Sequence, residues 1–571
     1  FSAFVFDTAS FESVGADPTD GPCLHFSGFA LVGTEILSSA IELNERMAVG
    51  TIAPADLLSA RGYFTAVVRH GSEVWFVNDL LGLEHVYVCE HPAGTVVANR
   101  LHLLIARMRL RGIERRVNLP FVATTLSSRH PFFSQCHAHE MAVAGVSLVP
   151  VDRYAVLRDG RLAYRPKPIL AAAFAGDGGD YDVLVYRAAD EILASVTAAR
   201  RCGLFEHFAA DLSGGRDSRV VFGAILRLGL LPATPILSRH VEGSRDLRCA
   251  LRIAGHYGAT LLGDEPDAPP IYPVDATAAL HRWRSLYCGM YHTFNPSTSS
   301  SRGAGMRSLR FTGACGEIHT AFWSKWTARS LDAPTGEEAL ERLLGRFAPD
   351  LAPHYRANAL QAFAECLLAV PGDTIGEKLD NHYLFFRNRM HFGLRAFHAY
   401  DAQSAWMPLV SPSLLLASRK IPWDQRRDGK VIFDVLARLA PELNFFPYEG
   451  KPWPDSVLAR KAKNPGRSVD VDAVKAEWDA AEAARSRMFA RQRAGRGGGF
   501  THAELKAHAR DVTVAAWKRI STELPEVAAA LDDRFIDRTL RSFEDAEDDK
   551  SWRLATSKIT SVADLLLEPL P

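Results

Sequence analysis

Nine consecutive residues, Asp211-Leu212-Ser213-Gly214-Gly215-Arg216-Asp217-Ser218-Arg219, bring together the groups that hold a polyphosphate. Ser213 and Ser218 supply hydroxyl donors, Gly214 and Gly215 let the backbone approach an anion closely, and the Asp217 carboxylate can carry a magnesium ion bridging phosphate oxygens. Leu204 to Ala210, ahead of the loop, reads as a short buried strand, and Val220 to Leu226, behind it, as the start of a helix. A strand that turns through two glycines into a helix aims backbone N–H groups and the positive end of the helix dipole at one point, so it binds anions. The same turn could also be a plain strand-to-helix connection. Neither of two common phosphate motifs fits it, since one requires Gly-Lys-Ser/Thr and the other a third glycine.

Other stretches carry reactive types. Leu309 to Phe311 reads as a strand, followed by a small-residue turn, Thr312-Gly313-Ala314-Cys315-Gly316-Glu317, with one carboxylate. Phe446-Pro447-Tyr448-Glu449-Gly450-Lys451-Pro452-Trp453-Pro454 holds Lys451 in a constrained loop rather than on a solvated helix face. Cys136-His137-Ala138-His139-Glu140 has metal-ligand residue types, but a single His-x-His without distant partners favours a loop of ordinary polar side chains.

A parallel sheet is the element that would position the loop. Thr234 to Ser238 reads as a second strand, followed by a helix that opens near Gly243 and ends near Tyr257-Gly258. Strands alternating with helices imply an α/β sheet covered on both faces, with ligands beyond the carboxyl ends of the strands, where Ser213 and Ser238 sit. Ahead of it, residues 1–168 read as short β segments: Ala3 to Phe6, Leu24 to Leu31, Tyr63 to Arg69, Val74 to Asn78, Val86 to Cys89, Thr95 to Ala98, and Tyr154 to Tyr164 around Asp159-Gly160. Ala171 to Asp180 reads as a linker, and Asp182 to Arg200 as an amphipathic helix. Residues 334–401 are helical in pattern. So is the charged part from Asp470 onward, with helices at Ala503 to Glu523 and Phe535 to Ser542, interrupted by a mobile loop at Arg493 to Gly499.

A chain of 571 residues needs two or three cores. Lys+Arg and Asp+Glu both number 66, a balance that argues against broad nucleic-acid or anionic-membrane binding. The eight cysteines are scattered without a Cys-x-x-Cys pair, which points to a reducing, cytoplasmic setting rather than a disulfide framework. The sequence shows neither an apolar run of membrane-spanning length nor a signal peptide.

The Ser213-Gly214-Gly215-Arg216-Asp217-Ser218 loop resembles the Ser-Gly-Gly-x-Asp-Ser loop of the PP-loop ATP pyrophosphatases, and there the chain is similar to the asparagine synthetase family. Gly62 to Val68, Asp79 to Tyr87, Val97 to His102 and Val146 to Pro150 resemble the glutaminase domain that precedes the synthetase in that family. The implied fold is a β-rich glutaminase-like sandwich of the N-terminal-nucleophile type (1–170). A doubly wound parallel-sheet PP-loop synthetase domain (171–480) and a helical C-terminal part (481–571) follow. The resemblance implies ATP and magnesium as cofactors. Leu212, Ser213, Gly214, Gly215, Asp217 and Ser218 would contact the nucleotide, as would Leu237, Ser238, Asp246, Thr312 and Gly313. Asp246 could equally cap its helix. Asp217 and Glu317 would hold the metal, Glu317 standing where the family has an aspartate, and Lys451 would lie against the α-phosphate.

Departures from the family bear on the nucleophile. Its glutaminases use an N-terminal cysteine; this sequence begins Phe1-Ser2-Ala3-Phe4, and Cys23 falls within an expected strand, where packing is the better reading. Ser404 stands where several members carry a glutamate that orients or deprotonates the amine, which leaves Tyr287, Glu377 and Asp401 as unranked candidates for that base. The resemblance thus implies a carbon–nitrogen ligase that adenylates a carboxylate and lets the substrate's own amine displace AMP. That is the chemistry of the cyclising branch, similar to β-lactam synthetases and especially lasso peptide cyclases. The substrate would be a small molecule or a peptide, the latter delivered with a leader-binding or protease partner. A glutamine-dependent asparagine synthetase and a tRNA-modifying PP-loop enzyme are the alternatives.

Overall fold

The computed structural model describes residues 3–5, 21–238, 244–262, 275–287, 293–294, 308–331, 336–393, 404–450, 452–458, 470–476, 479–480, 483, 500–545 and 549–567. Ten described strands lead up to residue 166: β1 (Ala3–Val5), β2 (Cys23–Val32), β3 (Glu35–Leu37), β4 (Arg61–His70), β5 (Glu73–Asn78), β6 (Tyr87–Cys89), β7 (Val96–Ala98), β8 (Val146–Leu148), β9 (Arg153–Arg158) and β10 (Arg161–Pro166). In the spatial order β10-β9-β5-β4-β2-β3 six of them form an antiparallel sheet, and β1-β7-β6-β8 form a mixed one in which β1 runs parallel to β7. Alternation along β4 explains the layering. Phe64, Ala66 and Val68 face one side with Phe26 and Leu43, the latter from the helix Ala40–Ala48. Val67 faces the other side with Phe76 and Ala155, against Val88 and Val97 of the second sheet. The helix Leu101–Leu110 backs that sheet, burying Leu101, Leu104, Ile105 and Met108 at helical spacing. The order is helix, sheet, sheet, helix. The β9–β10 hairpin turns on Asp159 (φ 50°) and Gly160 (φ 74°), two positive-φ residues whose twist matches the flanking strands.

The linker expected at Ala171 to Asp180 is helix in its first half, to Ala175, and non-helical connection from Gly176 to Asp180. Pro168–Ala175 starts with proline at its first position, runs through alanines and ends at Gly176 in the left-handed region (φ 72°). Its alanines, expected to mark a linker, act as helix formers, and Leu170 and Ala173 are buried. Asp180 then caps the helix Tyr181–Arg201 by accepting the Val183 N–H at 3.0 Å.

Five parallel strands follow: β11 (His207–Asp211), β12 (Ile236–Leu237), β13 (Leu261–Leu262), β14 (Ser308–Phe311) and β15 (Ser404–Trp406), in the order β13-β12-β11-β14-β15. The helix Asp217–Arg227 links β11 to β12, and Arg245–Tyr257 links β12 to β13. Right-handed crossovers place these connections on the face opposite those that reach β14 and β15. Strand order therefore reverses between β11 and β14. The sequence reading missed β15, because three residues are too short to show a period.

The helical region after β14 consists of Ser324–Leu331, Gly336–Phe347, Arg356–Ala369 and Ile375–His382, the last continuing into π-helical turns Tyr383–Arg387 and Arg389–Gly393. The expected loop Arg493 to Gly499 lies outside the described residues. The expected C-terminal helices are His502–Glu523 and Phe535–Ser542, followed by Asp549–Leu566. That last helix returns to the first body, where the Lys558 ammonium donates to the Leu126 carbonyl at 2.7 Å and to the Ser128 carbonyl. No helix among the described residues is long and apolar enough to cross a membrane.

Burial pulls the Lys558 pKa down to about 7, against a weaker upward pull from Asp350. The unfolded chain then binds more protons than the folded one between about pH 7 and the ordinary lysine value near 10.4, so this group's contribution to stability rises with pH through that window. Thermal melts from pH 6.5 to 9.5 should show wild type gaining on Lys558→Met as pH rises; a difference flat in pH would refute the burial of this lysine.

Candidate active site

The carboxyl ends of β11 and β14 lie side by side, with Ala210 opposite Phe311 in register, at the point where strand order reverses. Chain leaving neighbouring strands toward opposite faces opens a crevice there, the usual ligand position of such sheets. The loop from β11 enters the helix Asp217–Arg227 as expected, and it is held by its own donors. The Ser213 N–H donates to Ser218 Oγ at 3.1 Å, the two hydroxyls are 2.8 Å apart, and the Gly215 N–H donates to Ser213 Oγ at 3.1 Å. Of the two roles expected for Asp246, the helix cap belongs to another residue, while its carboxylate lies against the Ser-Gly-Gly turn. Ser244 caps the helix Arg245–Tyr257, its Oγ accepting the Leu247 N–H at 3.2 Å, while the Asp246 carboxylate accepts the Gly214 N–H. The turn thus already holds one internal anion, as a cradle of backbone donors would.

Arg219 is the main support of this loop and was not singled out in the sequence. It is fully buried, and its guanidinium donates to the carbonyls of Leu443, Phe446 (2.9 Å), Pro447 and Gly214 while lying 3.6 Å over the Tyr448 ring. Arg216 stacks 3.9 Å over Trp453, and the Glu449 N–H donates to the Gly214 carbonyl at 3.2 Å. The segment around Lys451 is therefore strapped to the Ser-Gly-Gly turn by its neighbours. Lys451 itself lies outside the described residues. The available signal was a lone arginine preceding Val220-Val221-Phe222, since a charge on an apolar face survives only when its donors are used.

The turn after β14 packs onto the first turn of the helix Asp217–Arg227. A Cβ on Gly313 would stand 2.5 Å from the Ser218 nitrogen, and one on Gly316 would stand 2.2 Å from Asp217 Cγ. Between them Cys315 adopts φ 67°, a left-handed conformation costing about 1–2 kcal/mol outside glycine. Its buried thiol lies 3.6 Å from Met407 Sδ. This packing brings Asp217 and Glu317 together. Burial first and the Glu317 charge second push the Asp217 pKa up to about 8, with Arg216 pulling the other way. A buried carboxylate with a second carboxylate beside it fits a divalent cation, and two carboxylates with phosphate oxygens are the usual holders of magnesium. The described residues contain no cluster of three or more metal-ligating side chains, so phosphate or water would complete such a shell.

The remaining expected contacts flank this crevice. Leu212 and Leu237 are buried and join β11 to β12 through the Leu212 N–H and Leu237 carbonyl at 2.9 Å. Ser238, at the carboxyl end of β12, has a buried hydroxyl without a hydrogen-bond partner among the described residues. Thr312 Oγ1 accepts the Ala314 N–H at 3.3 Å. Of the base candidates, Glu377 closes a capping box with Thr374, Tyr287 packs 6.0 Å from Trp283, and Asp401 lies outside the described residues. In the Cys136 to Glu140 cluster, His137 stacks on Phe121 at 4.4 Å and the Cys136 thiol lies 3.5 Å from Met141 Sδ. Cys23 is buried in β2 as expected, its pKa pushed up to about 12 by burial.

Asp217→Asn should raise the melting midpoint of metal-free protein at pH 7 by about 1–2 °C, because a carboxyl held above its unfolded pKa costs stability as pH rises toward 8. The same variant should lose the further rise that magnesium and ATP give wild type; calorimetry with and without both reads the two effects, and a drop in the metal-free midpoint would contradict the repulsion. No protein-family model matches the chain, and no curated protein matches it.

Proposed function

We propose that this chain is an ATP-dependent, AMP-forming carbon–nitrogen ligase of asparagine-synthetase character. The observation that carries the reading is the meeting of Asp217 and Glu317 across two glycines, beside a Ser-Gly-Gly turn, where a parallel sheet reverses its strand order. In this reading the substrate carboxylate attacks the α-phosphorus of ATP and pyrophosphate leaves. Ser213, Ser218 and the N–H groups at the helix start receive the pyrophosphate, and the Gly214 N–H passes from Asp246 to the incoming anion. Magnesium held by Asp217 and Glu317 would neutralise charge on the departing pyrophosphate. An amine then displaces AMP to form the amide.

The helix-sheet-sheet-helix body ahead of the parallel sheet supports a glutaminase-like domain of the N-terminal-nucleophile type, and residues 171–480 would form the PP-loop synthetase domain. The described cysteines of that first body, Cys23, Cys89 and Cys136, are buried, with thiol pKa values raised by burial, so none is a ready thiolate for glutamine. This favours an amine from the substrate itself, as in the cyclising branch, over ammonia from glutamine. None of the described cysteines is in a disulfide, which suits a reducing compartment.

ATP–pyrophosphate exchange measured against aspartate, glutamate and peptides bearing a free N-terminus and an acidic side chain should identify a substrate. Asp217→Asn should reduce exchange by about 10²-fold or more. Glutamate release from glutamine should stay at background. Exchange absent with every carboxylate, or glutamate release coupled to AMP formation, would overturn the reading.

A further inference from the structure

The helix Ile375–His382 passes directly into the π-helical turns Tyr383–Arg387 and Arg389–Gly393. Such turns recur at functional sites. Side chains five residues apart point about 140° away from each other on an α-helix. The i→i+5 bond from the Asn388 N–H to the Tyr383 carbonyl closes a wider turn and swings those two side chains toward one face. Both approach the turn that carries Glu317. The Asn388 amide lies beside the Cys315 thiol, and the Tyr383 phenol lies within the field of the Glu317 and Asp217 carboxylates. The rings of Phe322 and Trp323, 4.5 and 5.7 Å from the Tyr383 ring, hold the phenol in place.

Tyr383 is 1 % exposed and Asn388 0 %, yet among the described residues the phenol oxygen has no hydrogen-bond partner and the amide has only the weakly bonding Cys315 thiol beside it. Buried polar groups are paired as a rule, and those that are not call for a missing partner. Tyr383 and Asn388 carry no charge at neutral pH and each has a donor to offer, so the missing partner is a hydrogen-bond acceptor rather than an ion-pair partner.

We propose that Tyr383 Oη and Asn388 Nδ2 form a two-donor pocket for the carbonyl oxygen of the acyl group during transfer to the amine. The assignment rests on the ligase reading above. The amine lone pair adds to the carbonyl carbon of the acyl adenylate, and the carbonyl π electrons move onto oxygen. They return as the carbon–oxygen bond to phosphate breaks, AMP leaves with that electron pair, and the amine's surplus proton passes to solvent. Negative charge builds on one oxygen only between these events, and two preorganised neutral donors in a dry site stabilise it without binding the starting carboxylate as strongly.

The test compares Tyr383→Phe and Asn388→Leu with wild type, using hydroxylamine as the amine and a carboxylate that supports exchange. Hydroxamate formation should fall by about 10²–10³-fold in each variant, and ATP–pyrophosphate exchange far less. Without ligands each variant should melt at or about 1–2 °C above wild type, because an unpaired buried group has been removed. Equal loss in both half-reactions, undiminished hydroxamate formation, or a midpoint several degrees lower would each overturn the pocket. A wild-type protein that shows no exchange with any carboxylate fails at the earlier step, which ends the ligase reading and this assignment with it.

Discussion

Gly313 leaves no room for a side chain, since a Cβ there would press against the backbone of Ser218, and Gly316 is closed in the same way by Asp217. Backbone-to-backbone contact between the turn after β14 and the first turn of the helix Asp217–Arg227 is the constraint on which the site depends. It sets the separation of Asp217 and Glu317, it forces Cys315 into a left-handed conformation, and it aims the helix start at the same crevice. Interiors pack at crystal-like density, so one methyl group at either glycine would spread the crevice. Burial of Asp217 and the Glu317 charge beside it are the cost of that approach, and in the proposed function a cation would offset it.

Buried guanidinium groups hold the pieces around this contact. Arg219 ties the Ser-Gly-Gly turn to the segment 443–448 by backbone carbonyls and a ring face rather than by a carboxylate. Arg389, on the second π-turn, donates to the carbonyls of Gly82 (2.8 Å) and Val149 (2.9 Å) and so fastens that segment to the first body. Arginine suits both places because its planar fork serves several acceptors at once and keeps its charge when buried. The first body thereby acts as the floor against which the π-turns, and with them Tyr383 and Asn388, are set. Gly393 completes the contact, since a Cβ there would meet the Leu83 carbonyl at 2.1 Å.

Much of the local order was legible in the residues. Period-two apolar runs marked β2, β4, β5 and the β9–β10 hairpin, and capping and apolar spacing marked Tyr181–Arg201 and Arg245–Tyr257 to within a few residues. The loop between β11 and its helix was legible because strand, glycines, hydroxyls and helix start are contiguous. The linker expected at Ala171 to Asp180 starts later than expected, at Gly176, because a run of small residues reads equally as flexible chain or as helix, and the apolar surface it meets decides between them. The strand β15 failed because its pairing with β14, rather than any pattern of its own, makes it a strand.

By itself the sequence determined the Ser-Gly-Gly turn and the strand-and-helix alternation that carries it, since those depend on neighbours along the chain. Only the tertiary structure decided that Glu317 meets Asp217, that Asp246 occupies the Gly214 N–H, that Arg219 straps a remote segment to the loop, and that a π-turn closes between the Tyr383 carbonyl and the Asn388 N–H. The physical reason is that sheet order and side-chain packing, not distance along the chain, set which groups share a dry site, and a single sequence states that order nowhere.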